Sequence, residues 1–210
     1  MKSNQSGFTL IEIAIVLVII GLLLGGVMKG QELINSAKVK NLATDFKNIP
    51  VFIYGYQDKF RALPGDDKDV TTHIASATAA TVTMGSGTID GAWNATGTAE
   101  SHLFWQHVRM AGLAAGPTDV TTDIHPTNAV GGIIGVASSA NSPITGLTGS
   151  YIICSSAIAG KFAKQLDITM DDGKTDTGSM RARDATTPGT PSAAIGTLVD
   201  DTPYIVCMGF

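Results

Sequence analysis

An unbroken apolar stretch near the N-terminus is the strongest pattern in the chain. Residues 8–28 read FTLIEIAIVLVIIGLLLGGVM and contain one charged residue, Glu12. At a rise of about 1.5 Å per residue, a helix of this length spans a hydrocarbon core of roughly 30 Å. A secretory signal peptide fits less well, because its apolar core is shorter and follows a basic segment, whereas residues 1–7 carry Lys2 alone. The pattern therefore predicts a transmembrane helix.

Beyond residue 28 the apolar positions recur with helical spacing. The positions concerned are Leu42, Phe46, Ile49, Ile53, Tyr56 and Phe60. Steps of three and four residues place these side chains on one face, so we expect the helix to continue to residue 61 with this face against a globular domain. Pro50 is expected to bend the helix, and the sequence LPGDD at residues 63–67 is expected to end it.

The rest of the chain, residues 62–210, predicts a mixed head domain. The predicted elements are strand or loop over residues 70–89, a helix over 100–112, strands over 130–136, 151–154 and 202–208, and a helix over 157–170. Gly112 is expected to end the first of these helices, and Ser155 or Ser156 to cap the second. The fold class is therefore α+β, with an antiparallel sheet packed on the long N-terminal helix.

Charge is distributed unevenly along the 210 residues. The net charge of −4 combines a local charge of +3 over residues 29–61 with a local charge of −7 over residues 62–210. A basic stem and an acidic head are typical of a protein that stands on a membrane and faces water. Since no basic cluster is interleaved with aromatic residues, we expect no direct binding to nucleic acid.

Glu12 has no basic partner within the apolar stretch. A carboxylate in a membrane span costs about 3 kcal/mol or more, and therefore usually marks function. Cleavage between Gly7 and Phe8 would create a partner, a free α-amine on Phe8. Geometry disfavours a strong bond within one helix, but the pair can close between neighbouring helices, where a misregistered subunit would leave a buried charge uncompensated. We therefore interpret Glu12 as a determinant of assembly.

The sequence Gly7-Phe8-Thr9-Leu10-Ile11-Glu12, followed by an apolar helix, resembles the processing motif of type IV prepilins and of the pseudopilins of type II secretion. The resemblance implies that residues 1–7 are a leader, that prepilin peptidase cuts between Gly7 and Phe8, and that the same enzyme N-methylates Phe8. It continues through the sequence ALPGDD at residues 62–67 and is only general over the head. It implies a pilin-like fold made of a helix at residues 8–61, with residues 8–28 in the membrane, and a head at residues 62–210.

The chain departs from this family at one position. Many pilins have a proline where Lys29 stands here, whereas Gly21 matches a glycine that is common in the family. Glycines four residues apart, at Gly21 and Gly25 and again at Gly26 and Gly30, are small enough for helices to approach closely. The spacing favours packing between helices.

The resemblance also implies partners and a location. The expected partners are the membrane, identical or related pilin subunits, prepilin peptidase and an inner-membrane assembly platform. The expected location is the inner membrane, with a single span and the head outside the cytoplasm, and then a filament in the periplasm or at the cell surface. Both a type IV pilus for adhesion, motility or DNA uptake and a pseudopilus for secretion fit the sequence.

Two other classes of function compete with that of a filament subunit. A membrane-anchored ligand-binding module that does not polymerise would share the apolar stretch and the acidic head. An anchored hydrolase would need a catalytic constellation, and the sequence has no G-x-S-x-G turn. We therefore expect no enzymatic activity, and keep the binding module as the alternative.

The two cysteines, Cys154 and Cys207, lie in apolar strand-like runs. An even, small number of cysteines in an exported chain predicts one disulfide bond, and two buried free thiols are the alternative.

One acidic cluster is a candidate metal site. Asp167, Asp171, Asp172 and Asp176 supply four carboxylates within ten residues that also contain Gly173. Calcium prefers several oxygen ligands on a glycine-containing loop, although the spacing is not that of an EF-hand. A polar turn at a helix end is the preferred interpretation of this cluster, and a calcium site is the alternative. No other cofactor is expected. No metal site is predicted from the four histidines, His73, His102, His107 and His125, because none form an i,i+4 pair.

Overall fold

The structure is a computed structural model that describes residues 9–82, 84–185 and 191–210. Its elements are α1 (Leu10–Phe60), α2 (Val70–His73), α3 (Glu100–Met110), β1 (Ile134–Ser138), β2 (Tyr151–Ala159), α4 (Gly160–Met170), β3 (Met180–Asp184) and β4 (Pro203–Gly209). Contacts along the chain separate two compact units, Met1–Ala37 and Lys38–Phe210. The predicted α+β class, with a long N-terminal helix and an antiparallel sheet, is confirmed.

The first unit contains the N-terminal part of α1. Its large apolar side chains are exposed, from Leu10 at 88% to Met28 at 74%. By length and composition this helix is able to cross a membrane. Valine and isoleucine are weak helix formers in water, but a helix is the form in which a single segment satisfies its own backbone groups in lipid.

The second unit is built around the rest of α1. The predicted apolar face is confirmed, because Leu42, Phe46, Ile49, Ile53 and Tyr56 are all buried, while Phe60 is partly buried against the same core. Burial of each such side chain contributes about 1.5–3 kcal/mol. The helix continues through Pro50 and ends before Arg61, which adopts a left-handed conformation with φ of 57°.

The four strands form an antiparallel sheet in the order β1-β2-β4-β3. Alternate residues of β2 and β4 pack in two different clusters. Tyr151, Ile153 and Val206 share a cluster with the apolar face of α1, whereas Ile152 and both cysteines lie in the other. Both faces of the sheet are therefore covered, and the main core lies between the sheet and α1.

Helix α3 ends where the sequence predicts. Gly112 has φ of 80°, a conformation that glycine adopts without strain. The amide of Leu113 donates to the carbonyl of Val108 at 2.9 Å, and the amide of Gly112 donates to that of Arg109 at 3.0 Å. This pair of bonds is a Schellman motif, which satisfies the last carbonyls of a helix.

Asp66 and Asp67 anchor the loop that follows α1. The Tyr56 hydroxyl donates to Asp67 Oδ2 at 2.8 Å. The amides of Gly85 and Gly87 donate to the Asp66 carboxylate at 2.5 and 2.7 Å. Both aspartates are buried. The helix has already ended at Phe60, before the LPGDD sequence begins, and the two carboxylates of that sequence instead hold the loops that follow α1.

The predicted helix over residues 157–170 begins three residues late. Strand β2 continues to Ala159, so Ser155 and Ser156 lie in a strand and cap no helix. The first amides of α4 are satisfied instead by backbone carbonyls: Gly160 N donates to Thr202 O and Lys161 N to Asp200 O, each at 3.0 Å. Two short elements have no counterpart in the sequence prediction. Helix α2 lies where a strand or loop is expected, and strand β3 lies where no element is expected.

The expected disulfide bond joins Cys154 to Cys207. The two cysteines are direct partners in the register of β2 and β4, and both are fully buried. The bond therefore links the two central strands of the sheet and closes a sequence separation of 53 residues.

Removal of this bond should destabilise the head. For a loop of about 50 residues the chain-entropy estimate is a loss of roughly 3–4 kcal/mol in unfolding free energy. We expect the double variant C154A/C207A to unfold at lower urea concentration than the oxidised protein, with the full chain in detergent. Reduced wild-type protein is the control, and equal midpoints for oxidised and reduced protein would contradict the predicted contribution.

Candidate functional site

The two residues of the predicted cleavage site, Gly7 and Phe8, lie outside the described residues. The description begins at Thr9, directly after the expected new N-terminus. Glu12, the expected assembly residue, lies in the first turn of α1. The structure therefore shows the surroundings of Glu12 on the helix side of the cleavage site.

Glu12 forms a capping box with Thr9. The amide and the hydroxyl of Thr9 donate to Glu12 Oε2 at 2.7 and 2.6 Å, and the amide of Glu12 donates to Thr9 Oγ1 at 3.3 Å. These bonds satisfy amides at the start of a helix that have no helical partner. The sequence analysis missed Thr9, although Thr-x-x-Glu before an apolar helix is the sequence signal of this motif.

The capping box uses only one of the two carboxylate oxygens of Glu12. The hydrogen bonds that Glu12 accepts from Thr9 both end on Oε2. Within the described part of the chain, Oε1 accepts no hydrogen bond, and Glu12 is exposed. A positive group on another molecule could therefore reach Oε1 without breaking the cap.

The glycines of the N-terminal segment leave its backbone accessible to another helix. A Cβ atom built at Gly21, Gly25, Gly26 or Gly30 would meet no atom within 4 Å. These positions have the small-xxx-small spacing at which transmembrane helices approach closely. The first charged pair after the apolar residues follows at once, with Lys29 Nζ 2.7 Å from Glu32 Oε2. The segment thus combines exposed apolar side chains with open backbone and ends at a polar boundary.

Three of the four aspartates of the acidic cluster lie together. One carboxylate oxygen from each of Asp167, Asp171 and Asp172 lies within 4.8 Å of the other two. Asp167 is on α4, and the other two directly follow that helix. Asp176 is not in this group, and its carboxylate lies against Gly196. The structure therefore brings together three of the residues named from the sequence.

Asp167 dominates the electrostatics of this group. Its side chain is buried, and neither carboxylate oxygen makes a hydrogen bond of normal geometry within the described residues. Burial, together with the charges of Asp171 and Asp172, raises the pKa of Asp167 to about 6, although the amides of Gly173 and Lys174 oppose the shift. A bound cation would relieve the same repulsion.

Comparison with protein families identified a match at the N-terminus. The model of the prokaryotic N-terminal methylation motif matches residues 2–28, which include the expected cleavage site, Glu12 and the apolar stretch. No curated protein and no solved structure matches the chain significantly. The motif is the signature of type IV prepilins and pseudopilins, which are structural subunits. The chain carries this signature at its N-terminus, and the signature supports a precursor of the type IV pilin or pseudopilin kind.

Proposed function

We propose that this chain is a structural subunit of a type IV pilus or of a type II secretion pseudopilus. Residues 8–28 hold it in the inner membrane with the head outside the cytoplasm. Prepilin peptidase cuts between Gly7 and Phe8 and methylates the new N-terminus. Processed chains then pack through their N-terminal helices on an assembly platform. The match of the methylation motif to residues 2–28 is the observation that carries this proposal.

The exposed apolar surface of α1 supports assembly through this helix. The side chains from Leu10 to Met28 have no cover within the described chain. Their exposure to water costs about 25 cal/mol for each Å² of apolar surface. Lipid removes this cost before assembly, and neighbouring helices remove it in a filament. The open backbone at the four glycines favours close contact between helices.

The role proposed for Glu12 rests on charge. In a filament core its carboxylate is removed from water, and it then needs a positive partner. The α-amine that cleavage creates on Phe8 is such a partner, and Oε1 is available to it. The pair forms between neighbouring subunits and stabilises one axial register of their helices. Thr9 continues to donate to Oε2 within the same chain.

Processing is tested by the mass of the mature chain. We expect protein from cells that contain prepilin peptidase to lack residues 1–7 and to carry N-methylphenylalanine at Phe8. A Gly7→Leu variant should keep its leader, because a bulky side chain would replace the small residue before the cut. An intact Met1 in the wild-type protein, with the peptidase present, would contradict the proposal.

Assembly is tested by Glu12→Ala. We expect this variant to be cleaved and to remain in the membrane, with filament yield reduced at least about tenfold, since about 1.4 kcal/mol changes an equilibrium tenfold. Electron microscopy and shearing of filaments measure the yield. Glu32→Ala is the matched control, because Glu32 is an exposed acid on the same helix, paired with Lys29.

A Thr9→Val variant separates the two roles of Glu12. It removes the hydroxyl that donates to Glu12 but keeps the carboxylate, so we expect filaments to form. Loss of filaments in Thr9→Val to the same extent as in Glu12→Ala would assign Glu12 to capping alone.

Wild-type protein that stays in the membrane unassembled, with the assembly platform present, would favour the ligand-binding module.

We also propose that Asp167, Asp171 and Asp172 bind calcium in the head. Two observations support it: one oxygen from each of the three carboxylates lies within 4.8 Å of the other two, and the buried Asp167 accepts no hydrogen bond of normal geometry from the described residues. Asp171 and Asp172 each accept bonds from the following loop, such as that from Ser179 Oγ to Asp171 Oδ1 at 3.1 Å. An ion here would therefore join α4 to that loop.

Calcium should raise the melting temperature of the protein. An ion at about one hundred times its dissociation constant adds about 2.7 kcal/mol to the unfolding free energy. We expect Asp172→Asn to lose most of the increase and Asp176→Asn, outside the group, to keep it. Equal melting temperatures in calcium and in chelator would instead assign the cluster to a plain polar turn.

A further inference from the structure

Two histidines that are distant in the sequence lie side by side in the head. His102 is on α3 and is fully buried. His125 is in the segment before β1, and its side chain has no exposed surface. Their ring centroids are 5.3 Å apart. Buried polar side-chain atoms are nearly always hydrogen-bonded, so the partner of each ring nitrogen is informative.

The surroundings of His102 determine its tautomer. Its Nδ1 lies 2.8 Å from the carbonyl oxygen of Gly97. A carbonyl only accepts hydrogen bonds, so the proton of the neutral ring is on Nδ1. Nε2 then carries a lone pair, to which the amide of Ile124 donates at 3.3 Å. This bond is long, and the nitrogen is available to a stronger partner.

His125 has a similar arrangement with a carboxylate in place of the carbonyl. Its Nδ1 lies 2.5 Å from Asp123 Oδ1 and donates to it. Its Nε2 is buried and makes no hydrogen bond of normal geometry within the described residues, although the backbone of Trp93 is nearby. A buried polar nitrogen without a partner costs about 1–3 kcal/mol. An ion bound at Nδ1 would displace the Nδ1 proton and leave the ring proton on Nε2, where the backbone of Trp93 is close enough to accept it.

Asp123 completes the group. One candidate ligand atom from each of His102, Asp123 and His125 lies within 4.8 Å of the other two. In a tetrahedral zinc site, bonds of about 2.0–2.2 Å place the ligand atoms roughly 3.4 Å apart. His125 Nδ1 and Asp123 Oδ1 are already closer than this, so an ion between them would need this pair to separate by about 0.9 Å and the His102 nitrogen to approach. The side chain of Asp123 is 52% exposed, so an ion could reach the buried rings from solvent along it.

We propose that His102, His125 and Asp123 bind a divalent transition-metal ion of the zinc type, with solvent in the remaining position. Imidazole nitrogen favours zinc over calcium and magnesium, which prefer oxygen ligands. The carbonyl of Gly97 orients His102 in the way that outer partners orient metal-bound histidines. The ion would cross-link α3 to the segment that precedes β1, and would thereby stabilise the head.

Titration calorimetry of the full chain in detergent, stripped with chelator and free of any affinity tag, tests this site. We expect one zinc ion per chain and an increase in melting temperature on binding. His102→Gln and His125→Gln should each weaken zinc binding at least about tenfold, and Asp123→Asn should weaken it less. Cobalt is the spectroscopic probe, because nitrogen ligation in a tetrahedral site gives strong visible absorption bands.

His73→Gln is the matched control. His73 also lies beside a carboxylate, with Nδ1 2.7 Å from Asp67 Oδ2, but it is not part of the group. We expect this variant to bind zinc as the wild type does. Absence of binding to the wild-type protein, unchanged affinity in both His102→Gln and His125→Gln, or an equal loss in His73→Gln would overturn the proposal. If the two histidine variants fail to fold, the cobalt spectrum of the wild-type protein decides, and a spectrum with oxygen ligands alone would overturn it.

Discussion

The apolar surface of residues 10–28, interrupted by the single carboxylate of Glu12, is the constraint on which the rest of the structure depends. Within the described chain, nothing covers the large side chains of this segment. It therefore requires lipid, other helices, or both in turn. Glu12 adds a second requirement, because a carboxylate in that surrounding needs polar partners. Thr9 supplies one, and in the proposed filament the amine of a neighbouring chain supplies the other.

Helix α1 runs through both units of the chain, and its side chains have different surroundings in each. From residue 38 onward it has one buried face, on which Leu42, Phe46 and Ile53 pack in the core that includes the sheet. The loop after it is held by Asp66 and Asp67, and the sheet by a disulfide between its central strands. These contacts give the second unit its own core, so its stability does not depend on cover for the apolar segment.

Local patterns in the sequence predicted the parts of the fold that local physics determines. The spacing from Leu42 to Tyr56 gave the buried face of α1, and Gly112 gave the end of α3. The start of α4 could not be predicted, because carbonyls of residues 200 and 202 satisfy its first amides and the serines before it belong to a strand. The grouping of His102 with Asp123 and His125 depends on where α3 packs, which no spacing in the sequence records.

Electron cryomicroscopy of assembled filaments tests the central claim most directly. Gly7 and Phe8 lie outside the described residues, so the contact between the new N-terminus and Glu12 must be seen in the filament itself. We expect the methylated amine of Phe8 to lie within about 4 Å of the Glu12 carboxylate of a neighbouring subunit, the distance of an ion pair. A filament in which Glu12 contacts only Thr9 of its own chain, with the amine elsewhere, would contradict the proposed basis of assembly.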